Sequence, residues 1–453
     1  MIYETEDELL FKAREAHGKT FREIDQYSRL NNTRATGALG QIVEESFFEY
    51  KVNSNAEADF SNLGIELKVT PFKQNNNKSL SAKERLVLNI INYMTEAEKS
   101  FYESSFWKKN QKLLLMFYEW KKEVDRGDYK IIETILFKYP EEDLAVIKSD
   151  WTLIQAKIQA GLAHELSEGD TLYLGACTKG ANKNSLREQP FSDEHAMQRA
   201  YSLKQSYMTA LVRQYISKEK LVHFSSLEEL QEKSIEQLLN ERFEPFIGMT
   251  MEEMALRLNI QINPRNRSAV PNLISALLGV KGTKLDQIAE FAKANIQFKT
   301  VRVQQNGRPK ESMSFKNIDF EEIVREQWED SYIRNYFVET QILFVVFQFD
   351  EQGVLRFKNI KLWHMPMQTI ERELYEYWAE VRKVLDEGVI LTKTKKGVEN
   401  NFPKSDFNGV AHVRPKGADG NDKVQLPDGQ SITKQCYWLN ASYIGRIVSD
   451  IEE

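Results

Sequence analysis

The sequence predicts a mixed α/β fold present in two tandem copies. Three observations carry that expectation. Leu113 to Tyr118 is a near-continuous apolar run of the kind found in a strand buried on both faces. Segments of helical periodicity alternate with strand-like segments in both halves of the chain. Five short stretches of the first half also recur in the second, in the same order, displaced by between 227 and 237 residues.

The five matches are modest one by one and consistent together. Gly18 to Ile24 resembles Gly248 to Met254, and Ala58-Asp59-Phe60 through Thr70 resembles Ala289-Glu290-Phe291 through Val301. Trp151 with Gly161 matches Trp378 with Gly388, Lys179 to Asn182 matches Lys416 to Asp419, and Tyr201 to Tyr207 matches Tyr437 to Tyr443. The order implies a domain at residues 1–215, a linker at 216–235 where charged residues break the apolar periodicity, and a second domain at 236–453.

Within the first copy, Leu9, Leu10, Ala13 and Ala16 predict a helix from Glu6 to His17, and a second is expected from Phe21 to Leu30. Gly40 to Tyr50 reads as amphipathic, with Ile42, Val43, Ser46 and Phe47 on one side. Strands are expected at Ile65 to Thr70, Leu86 to Tyr93 and Leu113 to Tyr118. Asp143 to Leu166 reads as helix, Thr171 to Ala176 as strand, and Tyr201 to Ile216 as a closing helix.

Composition narrows the function. With 453 residues, 41% hydrophobic and 28% charged, the chain has the make-up of a soluble protein, and its apolar runs are far shorter than the ~20 residues a membrane-spanning helix needs. The acidic start predicts no secretory leader and a cytoplasmic location. Two distant cysteines, Cys177 and Cys436, support neither a disulfide framework nor structural zinc. A formal charge of −6 gives no global attraction for nucleic acid, so local clusters of Lys and Arg have to supply any.

The chemistry concentrates in Asp59, Glu66 and Lys68, spaced Asp-x6-Glu-x-Lys. Glu66 and Lys68 are two apart on a predicted strand and so share a face. Two carboxylates brought together across a turn offer hard oxygen ligands to a divalent metal, and Lys68 beside them can orient and help deprotonate a water. Glu44, with Glu45 next to it, supplies a third acid from the preceding helix. The run Lys108-Lys109-Asn110-Gln111-Lys112 ahead of the buried strand can aim a lysine at phosphate, or can simply be a solvated gatekeeper beside an apolar segment.

Gly40-Gln41-Ile42-Val43-Glu44, Ala58-Asp59-Phe60 and Leu63-Gly64-Ile65-Glu66-Leu67-Lys68-Val69-Thr70-Pro71 resemble the active-site region of the MutH family. That family holds the mismatch-repair nicking endonuclease and related type II restriction endonucleases of the Sau-three-A type. Gly18-Lys19-Thr20, the lysine run before Leu113, Cys177 to Asn182 and Tyr201 to Lys204 extend the resemblance over most of residues 5 to 215. The doubled length is that of the restriction enzymes. The resemblance implies a restriction-endonuclease-like PD-(D/E)xK domain and Mg²⁺-dependent cutting of double-stranded DNA at GATC that leaves a 5′-phosphate. It gives Asp59, Glu66 and Glu44 to the metal and Lys68 to the Asp/Glu-x-Lys motif. A further active-site lysine falls best on Lys109, with Lys108 and Lys112 as alternatives. The family's DNA-reading Arg-Pro-Lys is replaced here by Cys177-Thr178-Lys179, and a methylation-sensing tyrosine falls at Ser202. These departures imply a cutter indifferent to adenine methylation.

The second copy has Glu290, Gln297 and Lys299 where the first has Asp59, Glu66 and Lys68. Glu44 falls near Ser275 or Ala276, and Lys109 near Glu339. An amide binds Mg²⁺ far more weakly than a carboxylate, so this copy is expected to be degenerate. It nevertheless keeps Arg414-Pro415-Lys416, and an arginine there can engage guanine. The expected role is DNA binding without cutting, with possible activation of the first domain. The implied partners are duplex DNA, a second chain meeting the first on DNA, and a host methyltransferase. A mismatch-repair type nickase and a non-catalytic sequence-specific DNA-binding protein are the alternatives.

Overall fold

A computed structural model describes residues 3–32, 37–50, 57–180, 184–263, 266–395 and 397–449. The chain opens on the helix Glu6–Arg14, started by a capping box in which Thr5 and Glu8 satisfy each other's backbone N–H groups. The second predicted helix is short, Phe21–Ile24, with a separate single turn at Arg29–Asn31. Ala38–Ile42 continues into a π-helical turn, Val43–Phe47, which buries Val43, Ser46 and Phe47 and carries Glu44.

Nine strands follow: β1 (Glu66–Gln74), β2 (Leu80–Ala82), β3 (Leu86–Ile90), β4 (Lys112–Glu119), β5 (Ile131–Lys138), β6 (Leu174–Thr178), β7 (Leu186–Gln189), β8 (Ser192–Met197) and β9 (Arg199–Leu203). One sheet runs β2-β1-β4-β5 and is mixed: β1 pairs parallel to β4, and β2 and β5 pair antiparallel. Leu113 through Phe117 of β4 are fully buried, as a strand flanked on both sides and covered on both faces requires. A second sheet runs β3-β9-β6, antiparallel throughout. The helix Glu141–Gln159 carries the buried Asp150, whose carboxylate accepts the backbone N–H groups of Leu172, Tyr173 and Leu174 at 2.8, 2.6 and 2.8 Å and so fixes where β6 begins.

Two expectations need correcting here. Tyr201 to Leu203 do not start the closing helix; they form β9, the middle strand of its sheet, and the helix starts at Gln205. Strand β5, not among the expected elements, lacks a clean two-residue alternation in sequence: Ile132, Ile135 and Leu136 are exposed or half-buried while Thr134 is buried.

The chain divides into two units, residues 1–238 with 285–295 and residues 239–284 with 296–453. The stretch expected as a linker is ordered: Leu227–Glu232 is helical and Val222 pairs with Ile288. The segment 285–295 is held in the first unit by buried polar contacts. Lys293 Nζ lies 2.6 Å from Asp143 Oδ1, whose other oxygen accepts Tyr207 Oη at 2.8 Å. Glu290 accepts from Ser225 Oγ at 2.5 Å and lies 3.1 Å from His223 Nδ1.

The described residues of the second unit form ten strands: β10 (Ile296–Val303), β11 (Met313–Asn317), β12 (Gln341–Phe349), β13 (Leu355–Trp363), β14 (Thr392–Thr394), β15 (Gly397–Glu399), β16 (Ala411–Pro415), β17 (Lys423–Gln425), β18 (Ser431–Thr433) and β19 (Gln435–Leu439). β10 pairs parallel to β12 and β12 antiparallel to β13, while β11-β19-β16 forms an antiparallel sheet. Ile342, Phe344 and Val346 of β12 pack in one core with Tyr377, Trp378 and Val381 of the helix Tyr375–Glu387. Among the described residues no helix is long and apolar enough to cross a membrane.

Replacing Asp150 with Ala strands three buried N–H groups. It should lower unfolding free energy by about 3 kcal/mol, read by chemical denaturation, and a value near zero would show that water replaces the carboxylate.

Candidate active site

The site begins with a turn. Phe60 and Ile65 bridge antiparallel, with Phe60 N–H donating to Ile65 O at 2.9 Å, and Gly64 takes the left-handed conformation at φ +65° that lets the chain reverse so tightly. This reversal sets Asp59 opposite the start of β1. A reciprocal clip then locks the two acids: Asp59 N–H donates to Glu66 Oε2 at 3.2 Å, and Leu67 N–H donates to Asp59 Oδ2 at 2.9 Å.

The strand's alternation does the rest. Lys68, on the same face as Glu66, donates from Nζ to Glu66 Oε1 at 2.9 Å. β1 pairs with β4 in the register Glu66 to Leu113, so the helix Ser105–Asn110 that leads into β4 delivers its last turn to the same place. Lys109 Nζ stands 3.7 Å from the same Glu66 Oε1. Lys112 is committed elsewhere, to Glu6 Oε1 and the Leu63 carbonyl at 2.9 Å each. Lys108 forms no ion pair among the described residues. The structure therefore brings Asp59, Glu66, Lys68 and Lys109 together and separates Lys109 from its neighbours in the run.

Glu44 joins this group through its charge. Burial first, then the negative charges of Asp59 and Glu66, push its carboxyl up to about 7, with Lys68 pulling the other way. Burial and the Glu66 charge likewise push Asp59 up to about 6. Glu45 is engaged by Arg29, which grips both its oxygens at 2.5 and 2.6 Å, and reaches Glu44 through its charge. An oxygen-only set of acids that raise one another's proton affinity fits a hard divalent cation, whose charge would relieve the repulsion. Among the described residues no three acidic, His or Cys side chains stand close enough to form a ready-made metal cage.

Sequence reasoning missed Tyr50. Its ring packs edge-on to Phe60 with centroids 5.6 Å apart, its N–H donates to the Glu44 carbonyl, and its buried hydroxyl has no well-aligned hydrogen-bond partner. Burial and the charges of Asp59, Glu44 and Glu66 raise its pKa. The signal available in sequence was slight: a single hydroxyl six residues past Glu44, after two phenylalanines.

The other expected residues scatter. Thr178 and Lys179 lie exposed at the end of β6, while Ala181 and Asn182 of the same motif fall outside the described residues. Ser202, where the resemblance places a methylation-sensing tyrosine and a DNA contact, is buried to 1% exposure in β9, opposite Gly175 of β6. Glu290, matched to Asp59 by the repeat, belongs to the first unit and is bound to His223 and Ser225. Gln297 accepts Tyr336 Oη at 2.9 Å, and Lys299 donates to the Ser314 carbonyl at 3.2 Å. Ser275 is buried and bonds within its own helix, and Glu339 ends the helix leading into β12. Arg414 and Lys416 are exposed at the end of β16, with Arg414 over the Trp438 ring at 5.3 Å and Lys416 Nζ on Ser314 Oγ at 2.7 Å.

Because Asp59 binds its proton more tightly folded than unfolded, its charge weakens the metal-free fold at high pH. That penalty is complete above pH 6 and disappears as the pH falls towards 4. In chelator, Asp59→Asn should therefore melt above the unsubstituted protein at pH 8, with the gap closing between pH 6 and pH 4. Equal melting temperatures at pH 8 would contradict the crowding of charge inferred here. Affinity for a divalent cation, measured by calorimetry, should fall as the pH drops below 7 and protons compete for Glu44 and Asp59.

Comparison with known proteins identifies the family. A family model described as the DNA mismatch repair enzyme MutH matches residues 48–150 and 282–374. The type II restriction enzyme Sau3AI of Staphylococcus aureus is 37% identical, over 99% of this chain and 99% of its own. The DNA mismatch repair protein MutH of Shewanella woodyi is 29% identical over 41% of this chain and 79% of its own, and that of Pasteurella multocida 26% identical over 41% and 83%. With a carboxylate and lysine set built on a parallel strand pair and a relative alike from end to end, the chain belongs to the MutH family of DNA endonucleases, in its Sau3AI-type restriction enzyme branch.

Proposed function

We propose that the chain is a type II restriction endonuclease that hydrolyses phosphodiester bonds of double-stranded DNA at GATC and leaves 5′-phosphates. The observation that carries this reading is the convergence of Lys68 and Lys109 on Glu66, itself clipped to Asp59. Asp59, Glu66 and Glu44 hold Mg²⁺, which when bound neutralises charge developing on the phosphate and acidifies water. Lys68, on the strand face beside the acids, would orient the attacking water and help it lose its proton to solvent by stabilising the hydroxide that forms. Lys109, fixed by the helix ahead of β4, meets the phosphate oxygen. Thr178 and Lys179 at the exposed end of β6 supply contacts to the duplex.

The second unit is read as a degenerate copy of the first that binds DNA through Arg414 and Lys416 and activates cutting. The two stretches matched by the family model begin at residues 48 and 282, in keeping with the repeat spacing in the sequence. Both units pair a lysine-bearing strand parallel to a buried one. Gln297 in place of an acid leaves that copy without a metal site. With one site per chain, two chains meet on DNA to cut both strands. The host carries a matching methyltransferase, and the enzyme acts in the cytoplasm.

Incubating the protein with unmethylated and adenine-methylated duplexes plus Mg²⁺, then sequencing the ends, tests the proposal. Expected are double-strand ends at GATC in both substrates, lost in Asp59→Asn. Lys68→Ala should slow cleavage by about a hundredfold or more, and Lys109→Ala by a similar factor. Nicks confined to hemimethylated DNA would replace this reading with a mismatch-repair nickase. Cleavage strictly first order in enzyme, with both strands cut in one binding event, would rule out the paired chains.

A further inference from the structure

In the second unit Lys299 projects from β10 and Lys416 lies just past the end of β16, and both ammonium groups converge on Ser314 of β11. Lys299 Nζ donates to the Ser314 carbonyl at 3.2 Å and sits 4.6 Å from the centre of the Phe315 ring. Lys416 Nζ donates to Ser314 Oγ at 2.7 Å and lies within 3.5 Å of the Phe315 carbonyl. Cys436 Sγ closes the same patch on the Phe315 carbonyl at 3.2 Å.

This patch has no counter-charge among the described residues. Among the described residues no carboxylate oxygen comes within 4 Å of either ammonium group, whereas the lysines at the first unit's site both share Glu66. Burial, and then the charge of Lys416, lower the pKa of Lys299, as expected of two cations pressed together. Neutral Ser314 and the carbonyls satisfy hydrogen bonds and leave the repulsion in place. Lys416 and Arg414 are exposed, so the patch opens to solvent, and Arg414 adds a third positive charge two residues along the chain.

We propose that Lys299 and Lys416 form a metal-free site for one phosphodiester group of the DNA backbone. The proposal rests on the reading of the second unit as a DNA-binding half, and it assigns that half a backbone contact where a base contact by Arg414 was expected. A tetrahedral oxyanion takes point charges from two ammonium groups and a hydroxyl donor from Ser314. The missing acids explain why the site needs no cation.

Lysine acylation of the full chain, mapped by mass spectrometry with and without inorganic phosphate or a short duplex, tests the site without relying on catalysis. Expected is joint protection of Lys299 and Lys416 by either probe in the presence of chelator, with Lys395 unaffected. Lys416→Gln should weaken phosphate protection of Lys299 by about tenfold and lower the salt dependence of duplex binding by about one phosphate contact. Protection by neither probe overturns the site, and protection by phosphate alone overturns its assignment to DNA. Cleavage measured on the same samples reports separately on the restriction reading: a chain that protects both lysines yet cuts nothing would retain the site and lose the enzyme.

Discussion

The parallel pairing of β1 with β4 is the constraint on which the first unit's chemistry depends. An antiparallel partner joined by a short turn would bring its own tail to Glu66. A parallel partner must start beside Glu66, and so brings whatever precedes it in the chain. That is why the helix ending at Asn110 can place Lys109 against an acid forty-three residues earlier in the sequence. The apolar interior of β4 anchors the register, since a slip by one residue would exchange the side chains packed on its two buried faces and move its polar ends into the core. Precision at the charged rim is thus obtained from the hydrophobic middle of the sheet.

The second unit repeats one feature of the first, a lysine-bearing strand lying parallel to a buried one. β10 lies parallel to β12, and a helix ending at Glu339 leads into β12 as Ser105–Asn110 leads into β4. Where β1 carries an acid then a lysine, β10 carries an amide then a lysine, and Lys416 comes in from another strand. A strand face fixes positions only. The residues placed there decide whether the pocket attracts a cation or an anion.

Much of the first site was legible because it is local. Asp59, Glu66 and Lys68 lie within ten residues, and the two-residue period of a strand is enough to align Glu66 with Lys68. The choice of Lys109 from its run was not legible, because it depends on Glu6 and the Leu63 carbonyl claiming Lys112 from distant parts of the chain. Ser202 and Glu290 failed for a related reason. Tyr201-Ser-Leu-Lys204 fits a helix start as well as a central strand, and only the flanking strands β3 and β6 decide that Ser202 points inward. Ala289-Glu-Phe291 copies the pattern of Ala58-Asp-Phe60, but its partners are His223 and Ser225, more than sixty residues earlier.

The segment 285–295 carries a lesson about inheritance. It is enclosed in sequence by the second unit and packed into the first, with Lys293 2% exposed against Asp143 and Asn295 turning left-handed at φ 53° where β10 takes over. No single cut in the gene separates the two units. A fragment ending at residue 238 would expose a buried aspartate and leave Ser225 and His223 without their acid, as costly as breaking any buried ion pair. Recombination that exchanged one half for that of a relative would have to carry this inserted helix with the other half. A swap that followed residue order alone would leave the first unit without this helix and its buried contacts.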